Sequence, residues 1–121
     1  MAYEDVKTCI DACHKCAESC DHCTVSCLNE KDIEAMRQCI KLNLDAAAIA
    51  RLAASYMAND SLFIKDMCGL CAKVCQACSR ECARHAVAYC QECAAACREC
   101  AQACKSVAGG FQSTQPEAAF V

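Results

Sequence analysis

Apolar and sulfur-bearing residues recur along this chain alternately every three and every four positions, with charged and polar residues between them. An average spacing of about 3.5 residues places the recurring positions on one stripe of an α-helix, the seam through which helices pack in bundles. Polar segments interrupt the pattern at 29–32 and at 59–61. The pattern therefore predicts one helix over about 3–28, a second over about 33–58 and a third that begins after Ser61.

The pattern slips once more between Cys82 and Cys90, where the interval is eight residues and the alternation would give seven. A tight turn over 84–87 explains the slip, and so does a stutter within one continuous helix. With the turn, the third helix ends near Arg84 and a fourth runs to about Ala108.

Short polar connections join these helices. Asn29 or Asp32 can cap the second helix by accepting backbone N–H bonds, and the segment 59–61 offers a further N-cap for the third. Sequential helices joined by short loops are antiparallel neighbours. The predicted fold class is therefore all-α, an antiparallel up-down-up-down four-helix bundle.

The end of the chain differs in composition from the helices. Gly109 and Gly110 predict a left-handed stop of the last helix. The residues beyond them include Ser, Thr, Gln and the single Pro, which is typical of a loosely held tail. We predict a bundle domain over 1–108 and a flexible tail over 109–121.

The second helix tests the phase of the seam, because it carries only one cysteine. Its seam positions are small, polar or sulfur-bearing: Met36, Cys39, Asn43, Ala46, Ala50, Ala53 and Met57. The apolar residues that flank this stripe are Ile33, Ile40, Leu42, Ile49, Leu52 and Tyr56. We expect the flanking residues to pack on the first and third helices and to supply the apolar burial that the seam lacks.

Cysteine fills the seams of the other three helices. The chain has 17 cysteines in 121 residues, and all but Cys39 fall into three runs with the same spacing. These runs are Cys9, Cys13, Cys16, Cys20, Cys23 and Cys27; Cys68, Cys71, Cys75, Cys78 and Cys82; and Cys90, Cys93, Cys97, Cys100 and Cys104. Since bundle seams are usually built from Leu, Ile and Val, a seam of thiols indicates a chemical role for the core.

Length and charge limit the functional classes. A chain of 121 residues suits one domain, and its net charge of -3 provides no basic stripe for nucleic acid. No apolar stretch approaches the roughly 20 residues that span a bilayer, and residues 1–6 lack the basic and apolar regions of a secretory signal. We therefore expect a cytoplasmic protein with no membrane partner, in a compartment where thiols stay reduced. The odd number of cysteines also excludes complete pairing within one chain.

Several common thiol sites do not match this arrangement. Structural zinc takes four ligands, so each layer of a straight bundle would have to supply one thiol per helix, and the second helix does so only near Cys39. Iron–sulfur clusters use loop-shaped cysteine runs with a following Pro. A thioredoxin-like C-x-x-C motif needs a βαβ context, which the helical pattern does not offer.

Cu(I) fits the pattern better. It is a soft ion that prefers thiolate and thioether sulfur. Thiols at i,i+3 or i,i+4, with Cβ atoms about 5–6 Å apart, can hold an ion between them. One Cu(I) per thiolate also cancels the charge, whereas uncompensated thiolates would be costly to bury. Bridging sulfurs would give on the order of one ion per cysteine, a capacity that indicates storage without catalysis.

Antiparallel alignment of the seams gives the bundle two chemically different ends. At the end that carries the N-terminus, the outermost seam residues are Val6, Met57, Ile64 and Val107. We call the opposite end the mouth, and its seam residues are Cys27, Met36, Cys39, Cys82, His85 and Cys90. We expect the first end to be plugged, and the mouth to be polar, potentially open and the place where copper is loaded.

Two segments of the chain make its resemblance to one family specific. They are Cys39-Ile40-Lys41-Leu42 and Cys68-Gly69-Leu70-Cys71-Ala72-Lys73-Val74-Cys75-Gln76-Ala77-Cys78. With the nearly thiol-free second helix and the missing export signal, the chain closely resembles the cytosolic branch of the bacterial four-helix-bundle copper storage proteins over 3–108. The resemblance implies a homotetramer of bundles that store many Cu(I) ions on core thiolates, loaded through a mouth where a histidine sits, matching His85. Ala46 and Ala50 stand where some relatives carry cysteine, which leaves the capacity open.

The candidate metal ligands are thus the 17 cysteines together with His85, Met36 and Asn43. Each of the last three also has an ordinary structural explanation: His85 can cap a helix, Met36 can fill the core, and Asn43 can bond a neighbouring backbone group. His14 and His22 fall outside the seam, and we expect them to be solvated.

Two other functions stay open. One is a bundle that sequesters zinc or mixed metals without preference for copper. The other is a thiol-redox sensor, which would need an exposed cysteine of low pKa with a resolving partner.

Overall fold

The computed structural model describes residues 1–109, and these residues form helices without any strand. The four helices are α1 (Tyr3–Leu28), α2 (Ile33–Ala58), α3 (Ile64–Ala83) and α4 (Ala88–Ala108). The first two match the predicted ranges, and α3 ends one residue before the predicted Arg84. A turn, not a stutter, therefore separates α3 from α4.

The helices form a closed ring in which each packs against its neighbours in sequence and α1 also packs against α4. The antiparallel four-helix bundle is confirmed. On the outside, Arg51 of α2 pairs with Asp21 of α1. Between α3 and α4, the Ser79 hydroxyl donates to the carbonyl of Ala94 at 2.8 Å.

Local hydrogen bonds set the helix starts. The Asp32 carboxylate accepts from the backbone N–H of Ala35 at 3.2 Å, so Asp32 is the N-cap of α2, as the sequence allowed. At the next break Asp60 adopts a left-handed φ of 56°, and the Ser61 hydroxyl accepts from the N–H of Phe63 at 3.0 Å. The expected N-cap in 59–61 is therefore displaced to Phe63, which has no side-chain cap.

The end of α4 differs from the prediction at one residue. Gly109 has a φ of -78° and is right-handed, so the predicted left-handed stop is wrong there. Its N–H bonds to the carbonyl of Lys105 at 3.0 Å, which continues the helical ladder. Gly110 and the rest of the predicted tail lie outside the described residues.

The core face of α2 is made of small side chains. Ala46, Ala50 and Ala53 are all 0% exposed and face the cysteine seams of the other helices. Two of the flanking residues do not pack as expected, because Ile33 is 45% and Leu52 43% exposed. Ile33 is the first residue of its helix, and Leu52 lies about 100° around the helix from the Ala53 seam position, so both point outward.

Candidate metal centre

All 17 cysteines are free thiols buried inside the bundle. Cys9 is 3% exposed, and every other cysteine is 0% exposed. The 3.5-residue phase of the sequence accounts for this, because it keeps each thiol on the inward stripe of its helix. The result is a continuous column of sulfur along the bundle axis.

Contacts between helices run the whole length of this column. The Sγ atoms of α1 and α4 approach to 3.5 Å at Cys9–Cys104, 3.6 Å at Cys16–Cys97 and 3.8 Å at Cys23–Cys90. The thiol of α2 joins the column at the mouth, where Cys39 lies 3.4 Å from Cys82. An ion bound at one level therefore lies beside thiols that can bind the next.

The column contains compact groups in which all sulfur atoms lie within 4.8 Å of one another. The groups of four are Cys13, Cys71, Cys100 and Cys104; Cys20, Cys78, Cys93 and Cys97; and Cys23, Cys27, Cys39 and Cys90. The groups of three include Cys9, Cys68 and Cys104, and also Cys16, Cys75 and Cys100. Cys104 and Cys100 occur in two groups each, so neighbouring groups share thiols.

These groups show that the argument made from the sequence against zinc is wrong in one step. A layer with four thiols does not need one thiol from each helix, because a single helix supplies two at i,i+4. Cys100 and Cys104 of α4 do this, as do Cys23 and Cys27 of α1. The geometry thus also permits fourfold sulfur coordination away from α2.

Asn43 lies within the thiol column at 0% exposure. Its Oδ1 accepts from the thiols of Cys78 at 3.1 Å, Cys93 at 3.4 Å and Cys82 at 3.5 Å. Its Nδ2 donates to Cys39 at 3.7 Å. The amide is therefore satisfied by thiols, and not by the neighbouring backbone considered above.

The mouth brings together the residues predicted for it, but it is closed. Cys27, Cys39, Cys82 and Cys90 are 0% exposed, and Met36 is 6% exposed. At the other end Val6, Met57, Ile64 and Val107 are also buried, which agrees with a plugged end. The predicted opening of the mouth is thus absent from this conformation, and an ion could pass through this end only if the residues there moved apart.

His85 lies at the mouth beside a carboxylate that the sequence argument missed. Its Nε2 is 3.0 Å from Glu81 Oε2, and Arg84 Nη1 donates to the other oxygen of Glu81 at 3.1 Å. The side chains of Glu81 and His85 are only 10% and 18% exposed. The sequence signal that could have predicted these contacts is the spacing of Glu81 from Arg84 (i,i+3) and from His85 (i,i+4). In contrast, His14 and His22 are exposed, as expected.

The side-chain hydrogen bonds that hold the loops at the mouth were also not predicted from the sequence. The Tyr89 hydroxyl donates to Glu30 Oε2 at 2.5 Å, which links the start of α4 to the loop between α1 and α2. Gln91 holds the loop between α3 and α4 by donating to the carbonyls of Ala83 at 3.1 Å and His85 at 2.7 Å. Both loops at the mouth are therefore fixed by side-chain hydrogen bonds.

The thiols in the group of four nearest the mouth, Cys23, Cys27, Cys39 and Cys90, differ in pKa. Burial raises the pKa of Cys27 to about 11 and also raises the pKa of Cys90. Hydrogen bonds from neighbouring thiols, first of all Cys39, lower the pKa of Cys23. A soft cation that binds thiolate sulfur in this group therefore displaces protons from its thiols, and the cost of doing so is lowest at Cys23.

Comparison with known proteins agrees with this geometry. The family model described as copper storage protein, Csp, matches residues 2–109. YhjQ, a cysteine-rich protein of Bacillus subtilis (strain 168), is 43% identical over 68 residues. That match covers 56% of this chain and 63% of YhjQ, less than two thirds of its length. None of the four helices described above combines the length and the apolar composition that a membrane span requires.

Solved structures match over more of the chain. The Cu(I)-bound copper storage protein Csp3 of Bacillus subtilis is 42% identical, with a TM-score of 0.83, over 86% of this chain and 98% of that one. A cytosolic copper storage protein from Streptomyces lividans, loaded with five coppers, is 33% identical, with a TM-score of 0.86, over 89% and 95% of the two chains. This chain therefore belongs to the copper storage protein family.

Proposed function

We propose that this protein stores many Cu(I) ions on the thiolates of its core. The observation that carries the proposal is the buried column of 17 thiols whose sulfur atoms are in contact from one end of the bundle to the other. Cu(I) is soft and is held by thiolate sulfur. Each ion cancels the charge of one thiolate, so the column can fill without leaving buried net charge.

We infer a capacity on the order of one ion per cysteine, because thiolates that bridge two ions serve both. The proposed ligands are all seventeen cysteines: Cys9, Cys13, Cys16, Cys20, Cys23, Cys27, Cys39, Cys68, Cys71, Cys75, Cys78, Cys82, Cys90, Cys93, Cys97, Cys100 and Cys104. Filling should be cooperative, since a sulfur oriented by one ion is positioned for the next.

Asn43, Met36 and His85 are proposed as additional ligands. Asn43 Oδ1 already lies within 3.5 Å of three thiols, so an ion bound by Cys78 or Cys93 would lie next to it. Met36 is buried on the mouth seam and offers a thioether, and His85 offers an imidazole. The last two would act on ions that pass through the mouth.

Zinc storage is the second candidate, and the groups of four thiols are the observation that favours it. Zinc is held tetrahedrally by four cysteines in many structural sites. The three groups of four named above share no cysteine, so the column supplies separate sets of four for only about three zinc ions. Copper and zinc storage therefore differ in capacity by several-fold.

A titration of the fully reduced protein separates the two. Cu(I) and Zn(II) are added in parallel, each against a competing chelator, and the bound metal is counted per chain. We expect well over ten Cu(I), held more tightly than the few zinc ions. An uptake of only one or two Cu(I) per chain would end the storage proposal.

The thiol-redox function has less support. A redox sensor needs a reactive cysteine that solvent can reach. The most exposed cysteine of this bundle is Cys9, at 3%. We also assign the protein no catalytic activity, because every thiol of the column is buried and none forms a reacting centre that a substrate could contact from solution.

We place the protein in the cytoplasm and propose that it assembles as a homotetramer of bundles. The cytosolic relative from Streptomyces lividans supports the compartment. Large apolar side chains on the surface, such as Leu62 at 95% and Phe63 at 58% exposure, are consistent with assembly. Light scattering on the purified full-length chain tests the tetramer, and a monomeric mass would exclude it.

A further inference from the structure

The outer surface between α3 and α4 contains a groove of about 340 Å³ that is separate from the thiol column. Its floor is formed by the short side chains of Ala72, Ser79 and Ala101. The Ser79 hydroxyl is already bonded to the carbonyl of Ala94, so the floor itself offers little to a ligand. The chemistry of the groove therefore comes from its rim.

The rim carries three cations and two amides, namely Arg80, Arg98, Lys105, Gln76 and Gln102. Within residues 1–109, none of these five side chains forms a hydrogen bond or an ion pair. No acidic residue lines the groove, although the whole chain has a net charge of -3. The rim thus concentrates unpaired positive charge on an otherwise acidic protein.

The acidic neighbours of the two arginines are engaged elsewhere. Glu81, next to Arg80, bonds to Arg84 and His85 at the mouth. Glu99, next to Arg98, pairs with a lysine of α1 at 3.7 Å. The positive charge of the groove is therefore not neutralised by the carboxylates closest in sequence.

Helix dipoles explain only part of this pattern. Arg80 and Lys105 lie in the last turns of their helices, where cations are generally favourable. Arg98 lies in the middle of α4, so the helix dipole does not stabilise its charge in this way. It is seven residues before Lys105, which puts the two cations on the same face of α4, about 10 Å apart.

We propose that this groove binds a small elongated polyanion whose phosphate or carboxylate groups meet Arg80, Arg98 and Lys105. Arginine binds both kinds of group through paired N–H donors, and Gln76 and Gln102 can donate to oxygens between the charges. No aromatic side chain lines the groove, so it has no surface for stacking a nucleobase. The ligand is therefore a linear polyanion and not a nucleotide held by its base. This site is independent of copper storage.

Calorimetric titration of the reduced, copper-free, full-length protein tests the proposal with two probes, inorganic tripolyphosphate and the tricarboxylate tricarballylate. The test variant is Arg98→Gln/Lys105→Gln. The matched control is Lys41→Gln/Lys73→Gln, which removes the same charge from exposed positions outside the groove. Circular dichroism checks the fold, and Arg80→Gln serves as a second variant if the double variant unfolds.

We expect saturable binding of at least one probe, weakened about tenfold or more in the test variant and less than twofold in the control. The stronger probe identifies phosphate or carboxylate as the preferred group. No saturable binding, or an equal loss in the control, would overturn the proposal. An affinity that falls as the protein concentration rises would also overturn it, because a second copy of the chain would then cover the groove. Copper capacity should be the same in all variants.

Discussion

The hydrogen bond between Tyr89 and Glu30 should limit the rate at which copper reaches the core. It joins α4 to the loop between α1 and α2 at 2.5 Å, directly at the mouth. Cys27 and Cys90, the outermost thiols of α1 and α4, have no solvent exposure. Copper that enters through the mouth, as we predict, reaches these thiols only after the two sides of the mouth separate, and this bond opposes their separation.

Tyr89→Phe removes the hydroxyl and keeps the ring. A hydrogen bond to a charged group contributes about 1.5–3 kcal/mol, and the low end applies because Tyr89 and Glu30 are both only partly buried. Loss of about 1.4 kcal/mol raises the population of the open mouth about tenfold. We therefore expect copper uptake, and release to a chelator, to become up to about tenfold faster.

Stopped-flow transfer of Cu(I) from a coloured chelator complex measures this rate, and labelling of the apo protein with an aromatic disulfide measures thiol access independently. Tyr3→Phe is the matched control, since Tyr3 is 50% exposed at the opposite end. Capacity should stay the same in both variants. Rates within twofold of the parent protein, or an equal acceleration in the control, would show that the Tyr89 bond does not govern loading.

Three further predictions concern the ligands, the protons and the oxidation state of the thiols. His85→Ala or Met36→Leu should slow Cu(I) transfer and change capacity by about one ion or less; unchanged rates in both, with slower transfer on enlarging Val6, would place loading at the opposite end. Burial raises the pKa of Cys27 from 9.0 to about 11, so the protonated thiol stabilises the metal-free protein fully below pH 9.0, and this stabilisation is lost as the pH rises through about 11. Urea unfolding should therefore show that the free energy of unfolding falls less over this pH range in Cys27→Ser than in the parent protein. An identical fall in both proteins would contradict the assignment. Mass spectrometry of the air-exposed native protein should find mostly free thiols, since Cβ atoms at i,i+3 and i,i+4 are about 5–6 Å apart and a disulfide prefers about 3.5–4.5 Å; several disulfides within helices would refute this.

The helices and the thiol column could be predicted from the sequence because one periodic signal sets both. The spacing of the cysteines fixes which side of each helix faces inward, and short loops then fix the neighbours. The slip between Cys82 and Cys90 was ambiguous, because periodicity cannot distinguish a turn from a stutter. The capping contacts of 84–91 that settle it involve side chains outside the seam.

The parts that the sequence did not predict depend on residues that look solvated in a helical pattern. Glu81 is charged and off the seam, yet it is buried against His85 and Arg84. The groove between α3 and α4 joins Arg80 to Arg98, which only antiparallel packing brings together. Such pairings follow from the offset of neighbouring helices, and a periodic pattern does not fix that offset.

The alanines of α2 have a mechanical consequence for a filled bundle. Each metal ion added to the column needs space beside sulfur atoms that are already in contact, and packed protein interiors have few voids. Methyl groups at Ala46, Ala50 and Ala53 leave the thiols of α1, α3 and α4 room to rotate toward that wall. The protein can therefore gain the mass of many ions with little change in its outer dimensions. Surfaces that recognise other molecules would then keep the same shape in the empty and the full state.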